Sequence, residues 1–216
     1  MQHHCAAGWA SLVCLGLGSV RWLGLSVLLT PLFASAATVH VQVQDASGAP
    51  LAGAVVFLES PEAARAARPL AGAEMGQQGK AFVPDVLVVT RGTSVHFPNR
   101  DTVRHHVYSF SPIKKFELKL YAGTPANPVV FDKSGVAVLG CNIHDHMVGW
   151  VLVLDTPYFG TSAVSGVVKL ENVPAGSYTL RTWHARLPVG AEARAIPLKV
   201  ADGAQNTTVT LTGLQP

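Results

Sequence analysis

The chain has 216 residues, of which 49% are hydrophobic and only 13% are charged, and its formal net charge at pH 7 is +3. Without Arg21, which lies in an apolar N-terminal segment, the 16 basic residues become 15, against 13 acidic residues. A charge balance this close to neutral argues against nucleic acid as a partner and against a strongly charged docking surface.

Residues 1–36 have the pattern of a secretory signal peptide. Arg21 precedes a long apolar run, and the small residues Ala34-Ser-Ala36 follow it as a cleavage site. We therefore expect cleavage after Ala36 and a periplasmic mature protein. The apolar character extends back to about Cys5, so an uncleaved membrane anchor is the alternative.

The cysteine count points to one residue of the predicted mature chain. Cys5 and Cys14 would leave with the signal peptide, which leaves Cys141 alone. Cysteines in an oxidising compartment normally form disulfides, so an unpaired one there indicates a special use such as metal ligation. The plainer interpretation is a buried, inert cysteine.

From residue 38 onward the pattern predicts a nearly all-β chain. Alternating or continuous apolar runs predict strands at 38–44, 54–58, 86–89, 93–97, 103–110, 128–131, 136–139, 148–154, 166–170, 178–183, 196–200 and 207–211. We expect 86–89 and 93–97 to form a hairpin around Arg91-Gly92, and at most one helical turn within 62–68. Many short strands separated by Pro and Gly indicate a sandwich or barrel.

Four residues of the chain have the side chains of a copper site. Cys141 is followed by His144 three residues later and by Met147 six residues later, and His105 lies upstream. One thiolate, two imidazoles and a weak thioether hold copper in a trigonal site with a long axial bond. Such a site can exchange single electrons.

Three further stretches accompany the loop Cys-x2-His-x2-Met147. They are Phe82-Val-Pro-Asp-Val-Leu-Val-Val-Thr-Arg-Gly92, Val95-His-Phe-Pro-Asn99 and Phe131-Asp-Lys-Ser-Gly135. Together they resemble the cupredoxins, amicyanins most closely and plastocyanins next. The resemblance implies a Greek-key β-barrel or sandwich that binds one type 1 (blue) copper ion.

The same resemblance implies the ligand set and its support. The metal ligands would be His105, Cys141, His144 and Met147. Asn99 resembles the asparagine that tethers the ligand loop by hydrogen bonds; a turn residue at the end of a strand is the alternative.

Neighbours of the ligands leave alternatives open. His105 and His106 cannot both face one metal because side chains alternate along a strand, and the family spacing from Asn99 selects His105. His146 can compete as a ligand or be solvated. Gly140 stands where amicyanins carry a larger ring-bearing side chain, so an electron route through that side chain is in doubt.

The two ends of the chain carry a second resemblance. Residues 43–54 and 166–180 resemble carboxypeptidase-regulatory-like domains, which are small transthyretin-like or Ig-like β-sandwiches. We predict one such sandwich from residues 37–78 and 157–216, interrupted by a copper domain at 79–156. Two consecutive domains are the alternative.

The pattern also resembles periplasmic cupredoxin-like proteins labelled methylamine utilization proteins. The shared features are His105-His-Val-Tyr-Ser-Phe110, Cys141-Asn-Ile-His-Asp145 and Trp183-His184. His184 would either contact the copper domain or be a structural histidine. That label describes a setting and assigns no reaction.

These features predict an electron carrier of the periplasm, with a dehydrogenase or cytochrome as redox partner and a membrane contact only if the signal peptide stays. Lys114, Lys115 and Lys119 form either a solvated face or a weak docking patch for an acidic partner. The alternative function is a copper-binding or copper-handling module without redox turnover. We do not expect an enzyme, because Gly140 and Asn142 flank Cys141 where multicopper enzymes place a histidine.

Overall fold

The computed structural model describes residues 36–216, so the predicted signal peptide, apart from Ala36, lies outside the described residues. In that range there is one short helix, α1 (Pro61–Ala66). The strands are β1 (Ala36–Gln44), β2 (Val55–Glu59), β3 (Ala73–Glu74), β4 (Gly76–Gln78), β5 (Ala81–Val83), β6 (Val86–Thr90), β7 (Thr93–His96), β8 (His105–Ser111), β9 (Lys114–Tyr121), β10 (Val129–Phe131), β11 (Gly135–Cys141), β12 (Val148–Leu154), β13 (Phe159–Thr161), β14 (Val167–Pro174), β15 (Gly176–Trp183), β16 (Arg194–Val200) and β17 (Ala204–Thr210).

The predicted all-β fold is thereby confirmed. The helix is a single short element that begins after Ser60, whose side chain accepts a hydrogen bond from the backbone N–H of Ala63. Within residues 36–216 no helix is long and apolar enough to cross a membrane.

Strands from both ends of the described range form one β-sandwich. One sheet has the order β14-β1-β17 and the other the order β13-β2-β15-β16. Alternation along β1 buries Val39, Val41 and Val43, which share a core with Leu170 and Leu180. Each such side chain stabilises the fold by roughly 1.5–3 kcal/mol when it leaves water. Both ends of the described range therefore share one core, and the predicted domain limits at residues 78 and 156 stay a prediction.

The middle of the chain forms a second sandwich. Its sheets have the orders β10-β7-β3 and β6-β12-β11-β8-β9. Val95 and Phe131 from the first sheet share a core with Val107, Leu139 and Val151 from the second. The short strand β3 precedes residue 79 and nevertheless pairs with β7 of this sandwich.

A third hydrophobic cluster joins the two sandwiches. Val55 and Phe57 of β2 pack with Leu152 and Leu154 of β12 and with Trp183. The alternate residues of β2 and β12 face the core of their own sandwich, so both strands are buried on two faces. Burial on both faces explains why these two strands read as continuous apolar runs rather than as alternating ones.

The predicted hairpin of residues 86–89 and 93–97 is wrong. β6 pairs in parallel with β12, whereas β7 pairs with β10 in the other sheet of the sandwich. The turn at Arg91-Gly92 therefore carries the chain from one sheet to the other. Hydrophobic period predicts a strand but not its partner, and that is why the pairing is missed.

One long strand is missing from the predicted set. β9 carries exposed Lys115 and Lys119 in alternation with half-buried Phe116 and Leu118. The charged side chains point to solvent, and the period-two pattern between them is the signal that identifies this strand.

Candidate metal centre

Two neighbouring strands bring the predicted histidine and cysteine to the same end of one sheet. His105 is the first residue of β8, and Cys141 is the last residue of β11. The two strands are antiparallel, and Cys141 lies opposite Val107 in the register. Because antiparallel neighbours run in opposite directions, the start of β8 meets the end of β11.

Three predicted ligands converge at that end of the sheet. The ligand atoms of His105, Cys141 and His144 all lie within 4.8 Å of one another. The Nδ1 atom of His105 is 3.8 Å from the Sγ atom of Cys141, and the rings of His105 and His144 are edge to face with centroids 5.2 Å apart. We call these three residues the ligand cluster. They can hold a metal ion, and within residues 36–216 they are the one such group of three or more His, Cys, Asp or Glu residues.

The imidazole of His105 is oriented by a carboxylate. Its ring is completely buried, and its Nε2 atom is 2.8 Å from Oδ2 of Asp101. A hydrogen bond from Nε2–H to the carboxylate leaves the lone pair of Nδ1 directed at Cys141. The backbone N–H of Lys80 and the side chain of His105 hold the pKa of Asp101 below its usual value.

His144 contributes a ring nitrogen without a hydrogen-bond partner to the ligand cluster. Its Nδ1 atom is buried and has no hydrogen-bond partner among the described residues. Loss of hydration lowers the pKa of His144, and His105 and Lys80 lower it further, so the ring is neutral near pH 7. A buried polar atom without a partner is rare in native proteins and is expected where a metal binds.

Met147 closes the loop that begins after Cys141. Its side chain is buried in the same core cluster as Cys141, and its backbone N–H donates to the carbonyl of His144 at 2.9 Å. This bond holds residues 144–147 in a tight turn before β12. One cysteine sulfur and two imidazoles form a donor set that fits copper, and Met147 as a fourth, thioether ligand stays a prediction.

Asn99 organises the segment that leads to His105. Its side-chain amide donates to the carbonyls of Val103 and Tyr121, both at 2.9 Å, and its Oδ1 accepts from the backbone N–H of Asp101 at 2.9 Å. These bonds lie on the β8 side of the centre and not in the loop 142–147. Asn99 therefore holds the segment that leads to His105, through its hydrogen bonds to Asp101 and Val103. Its role toward a metal stays a prediction.

Three further histidines that the sequence singles out are not members of the ligand cluster. His106 faces the opposite side of β8, where its Nε2 atom is 2.8 Å from Oε1 of Glu117. His146 is exposed, with its ring centroid 5.9 Å from that of His144. His184 is satisfied within the other sandwich, since its Nε2 donates to the carbonyl of Ala52 and its Nδ1 accepts from the N–H of Arg186, both at 3.0 Å.

A tyrosine covers the backbone beside the cysteine. Tyr108 lies opposite Gly140 in the register of β8 and β11. A Cβ atom added to Gly140 would lie only 2.7 Å from Cζ and Oη of that ring. Tyr108 therefore fills the space that a side chain at position 140 would need, so an aromatic ring lies over Gly140, the residue before Cys141.

Asp101 and Tyr108 are the two residues of this centre that the sequence patterns do not identify. For Asp101, the local signal in the sequence is its four-residue interval from His105. The position of Tyr108 over Gly140 depends on strand register, which sequence spacing does not provide.

Comparison with known proteins gives matches among solved structures only. No protein-family model matches the sequence, and no curated protein matches it. A purple cupredoxin from Nitrosopumilus maritimus matches at 26% identity and a TM-score of 0.35, over 38% of this chain and 99% of that one. A reduced Cu(I) form of an amicyanin variant matches at 23% identity and a TM-score of 0.35, over 46% of this chain and 98% of that one.

A larger copper protein is also similar in part. A copper-containing nitrite reductase from Thermus scotoductus SA-01 matches at 24% identity and a TM-score of 0.36, over 53% of this chain and 28% of that one. Superpositions at these TM-scores assign no function. The residues of the centre are therefore the basis for assigning one.

Proposed function

We propose that this chain is a periplasmic type 1 copper protein that carries single electrons between redox partners. The observation that carries the proposal is the ligand cluster, in which His105, Cys141 and His144 converge within 4.8 Å. When bound there, copper would supply one-electron chemistry by alternating between Cu(I) and Cu(II).

The protein's own part in electron transfer is to hold the ligands still. His105 is held by a strand and by Asp101, and Cys141 is held at the end of β11 between two paired strands. Met147 is buried in the core. Ligands held this firmly move little when the charge at the centre changes, which keeps the reorganisation small and electron exchange fast.

The route for electrons is proposed to pass by His144. Cys141 and His105 are buried, whereas His144 is half-buried and its neighbour Ile143 is 48% exposed. Val148 on the other side of the loop is 41% exposed. A partner that packs against this apolar edge would approach the ligand cluster through one imidazole. We propose a dehydrogenase or a cytochrome as that partner.

Several features favour a carrier over an enzyme. Gly140 and Asn142 flank Cys141, so no adjacent histidine leads to a second copper. Within the described residues the ligand cluster is also the single group of its kind. The proposed periplasmic location rests on the predicted signal peptide.

Copper handling without redox turnover is the competing function. Such proteins bind and release copper through accessible ligands, whereas Met75 and Met147, the two methionines after the predicted signal peptide, are both buried. This burial favours the carrier.

A spectroelectrochemical titration in the presence of a Cu(I) chelator tests the choice. A carrier retains its copper over repeated cycles and follows the one-electron Nernst slope of about 59 mV per decade. Transfer of copper to the chelator during each reduction would instead identify a copper-handling protein. The Cys141→Ser variant serves as the control for copper bound elsewhere on the chain.

A further inference from the structure

We propose that Asp101 is a positioning residue for the metal centre, and that it fixes His105 with Nδ1 toward the metal and strengthens that nitrogen as a donor. This inference rests on the proposed copper function. It concerns a residue outside the four predicted ligands.

The contact itself is short and shielded from water. Oδ2 of Asp101 lies 2.8 Å from Nε2 of His105, and the exposed fractions of the two side chains are 13% and 0%. Water therefore competes little for this hydrogen bond. Since Nε2 is occupied by the carboxylate, Nδ1 is the nitrogen left to bind a metal.

Asp101 is itself held in place from two directions. A two-residue turn, Gly79-Lys80, joins β4 to β5, and both residues have positive φ angles of 63° and 58°. Their backbone N–H groups donate to Oδ1 and Oδ2 of Asp101 at 2.7 and 2.9 Å. Asn99 accepts from the backbone N–H of Asp101. The carboxylate thus reaches His105 from a rigid support and not from a free loop.

A carboxylate that accepts a hydrogen bond from one imidazole N–H increases the electron density on the other ring nitrogen. A stronger donor stabilises Cu(II) more than Cu(I), because the more highly charged ion gains more from it. Asp101 therefore lowers the reduction potential of the centre. It also increases copper affinity, because the ring is already oriented before the metal arrives.

Two substitutions separate the effect of the negative charge of Asp101 from its effect on the orientation of the His105 ring. Asp101→Asn keeps an oxygen that can accept from Nε2–H and removes the negative charge. Asp101→Ala removes the bond altogether and frees the ring. The matched control is Glu117→Gln, because Glu117 makes a 2.8 Å contact with His106 on the opposite face of β8, away from the ligand cluster.

The experiment measures the reduction potential, the visible spectrum and the Cu(II) affinity of the wild type and these three variants. We expect Asp101→Asn to keep the thiolate-to-copper band and to raise the potential, by about 59 mV for each tenfold loss of Cu(II) affinity relative to Cu(I). We expect Asp101→Ala to bind Cu(II) roughly 10–100-fold more weakly. Glu117→Gln should match the wild type in all three measurements.

The outcomes distinguish the two levels of the proposal. One outcome is that the wild type shows the thiolate-to-copper band but the reduction potential of Asp101→Asn is equal to or below that of the wild type. This result would overturn the role of Asp101 and leave the copper function intact. A wild type without the thiolate-to-copper band would overturn both. Loss of the Gly79 and Lys80 contacts can lower the stability of the variants, but it does not move the potential of a centre that still forms, so a raised potential reports on the donor itself.

Discussion

The Nδ1 atom of His105 lies 3.8 Å from the Sγ atom of Cys141, although 36 residues separate them in the chain. Adjacent strands β8 and β11 create this contact, and the loop after Cys141 adds His144 to it. The side chains that would bind the metal are therefore positioned by the paired strands of the sandwich core, which would couple metal binding to folding.

Copper removal is expected to lower the thermal stability of the protein. A ligand that binds only the folded state at 100 times its dissociation constant stabilises it by about 2.7 kcal/mol. For a chain of this size that corresponds to a rise in melting temperature of roughly 5–10 °C. Differential scanning calorimetry with and without copper measures the shift. The Cys141→Ser variant should show no copper-dependent rise, and an equal rise in that variant would place the bound copper elsewhere.

Gly140→Ala is expected to destabilise the fold by about 1–3 kcal/mol, the usual cost of overpacking. The added Cβ would meet the ring of Tyr108 at 2.7 Å. Gly176→Ala is the matched control, because its Cβ would lie 3.5 Å from the ring of Tyr178, an ordinary contact.

Urea denaturation of the two single variants measures this difference. Adding Tyr108→Ala to Gly140→Ala should remove most of the overpacking cost, as judged against Tyr108→Ala alone. Equal free energies of unfolding for the two glycine variants would mean that Tyr108 does not hold its place over Gly140.

Gly166→Ala tests the sandwich formed by the two ends of the described range. Gly166 has a φ of 76°, and a Cβ there would overlap the backbone carbonyl of Val43 in β1. Gly190 has a similar φ of 85° with nothing within 4 Å of the added atom, so Gly190→Ala carries the conformational strain alone, about 1–2 kcal/mol. Thermal denaturation should show Gly166→Ala as the less stable variant by about 1–3 kcal/mol. Equal losses would argue against the close packing of Gly166 on β1.

His184 is expected to make stability depend on pH. Burial lowers the pKa of His184, and its Nδ1 accepts from the N–H of Arg186, so protonation would break this hydrogen bond. For a lowered folded-state pKa the stabilisation is fully present above the ordinary value of about 6.5, and it is lost as the pH falls through the folded-state pKa.

The measurement compares urea midpoints at pH 7 and pH 5 for the copper-free wild type and for His184→Gln. The wild type should lose more stability on acidification than the variant. Parallel losses in the two proteins would show that other histidines are responsible.

Local parts of the centre can be predicted from the sequence. Cys141, His144 and Met147 lie within seven residues, so their spacing alone restricts them to one loop. Alternation along a strand allows only one of His105 and His106 to face a metal, and the spacing from Asn99 selects His105; the structure buries His105, while His106 pairs with Glu117. In both cases the deciding information is short in range.

The parts that cannot be predicted depend on contacts between distant segments. Asp101 reaches His105 because the turn Gly79-Lys80 holds it, and that turn approaches only when the sandwich forms. Tyr108 lies over Gly140 because of the register between β8 and β11. The mistaken hairpin of residues 86–97 has the same origin, since each strand finds its partner in a different sheet.

The most direct test of the central claim is the visible absorption spectrum of the oxidised, copper-loaded protein, recorded beside that of its Cys141→Ser variant. A type 1 centre predicts an intense thiolate-to-copper(II) band that makes the protein blue and that disappears in the serine variant. The adjacent pair His105→Ala and His106→Ala should differ in the same way, with the band lost only in the first. A pale protein with weak copper(II) absorption that is the same with and without Cys141 would contradict the account.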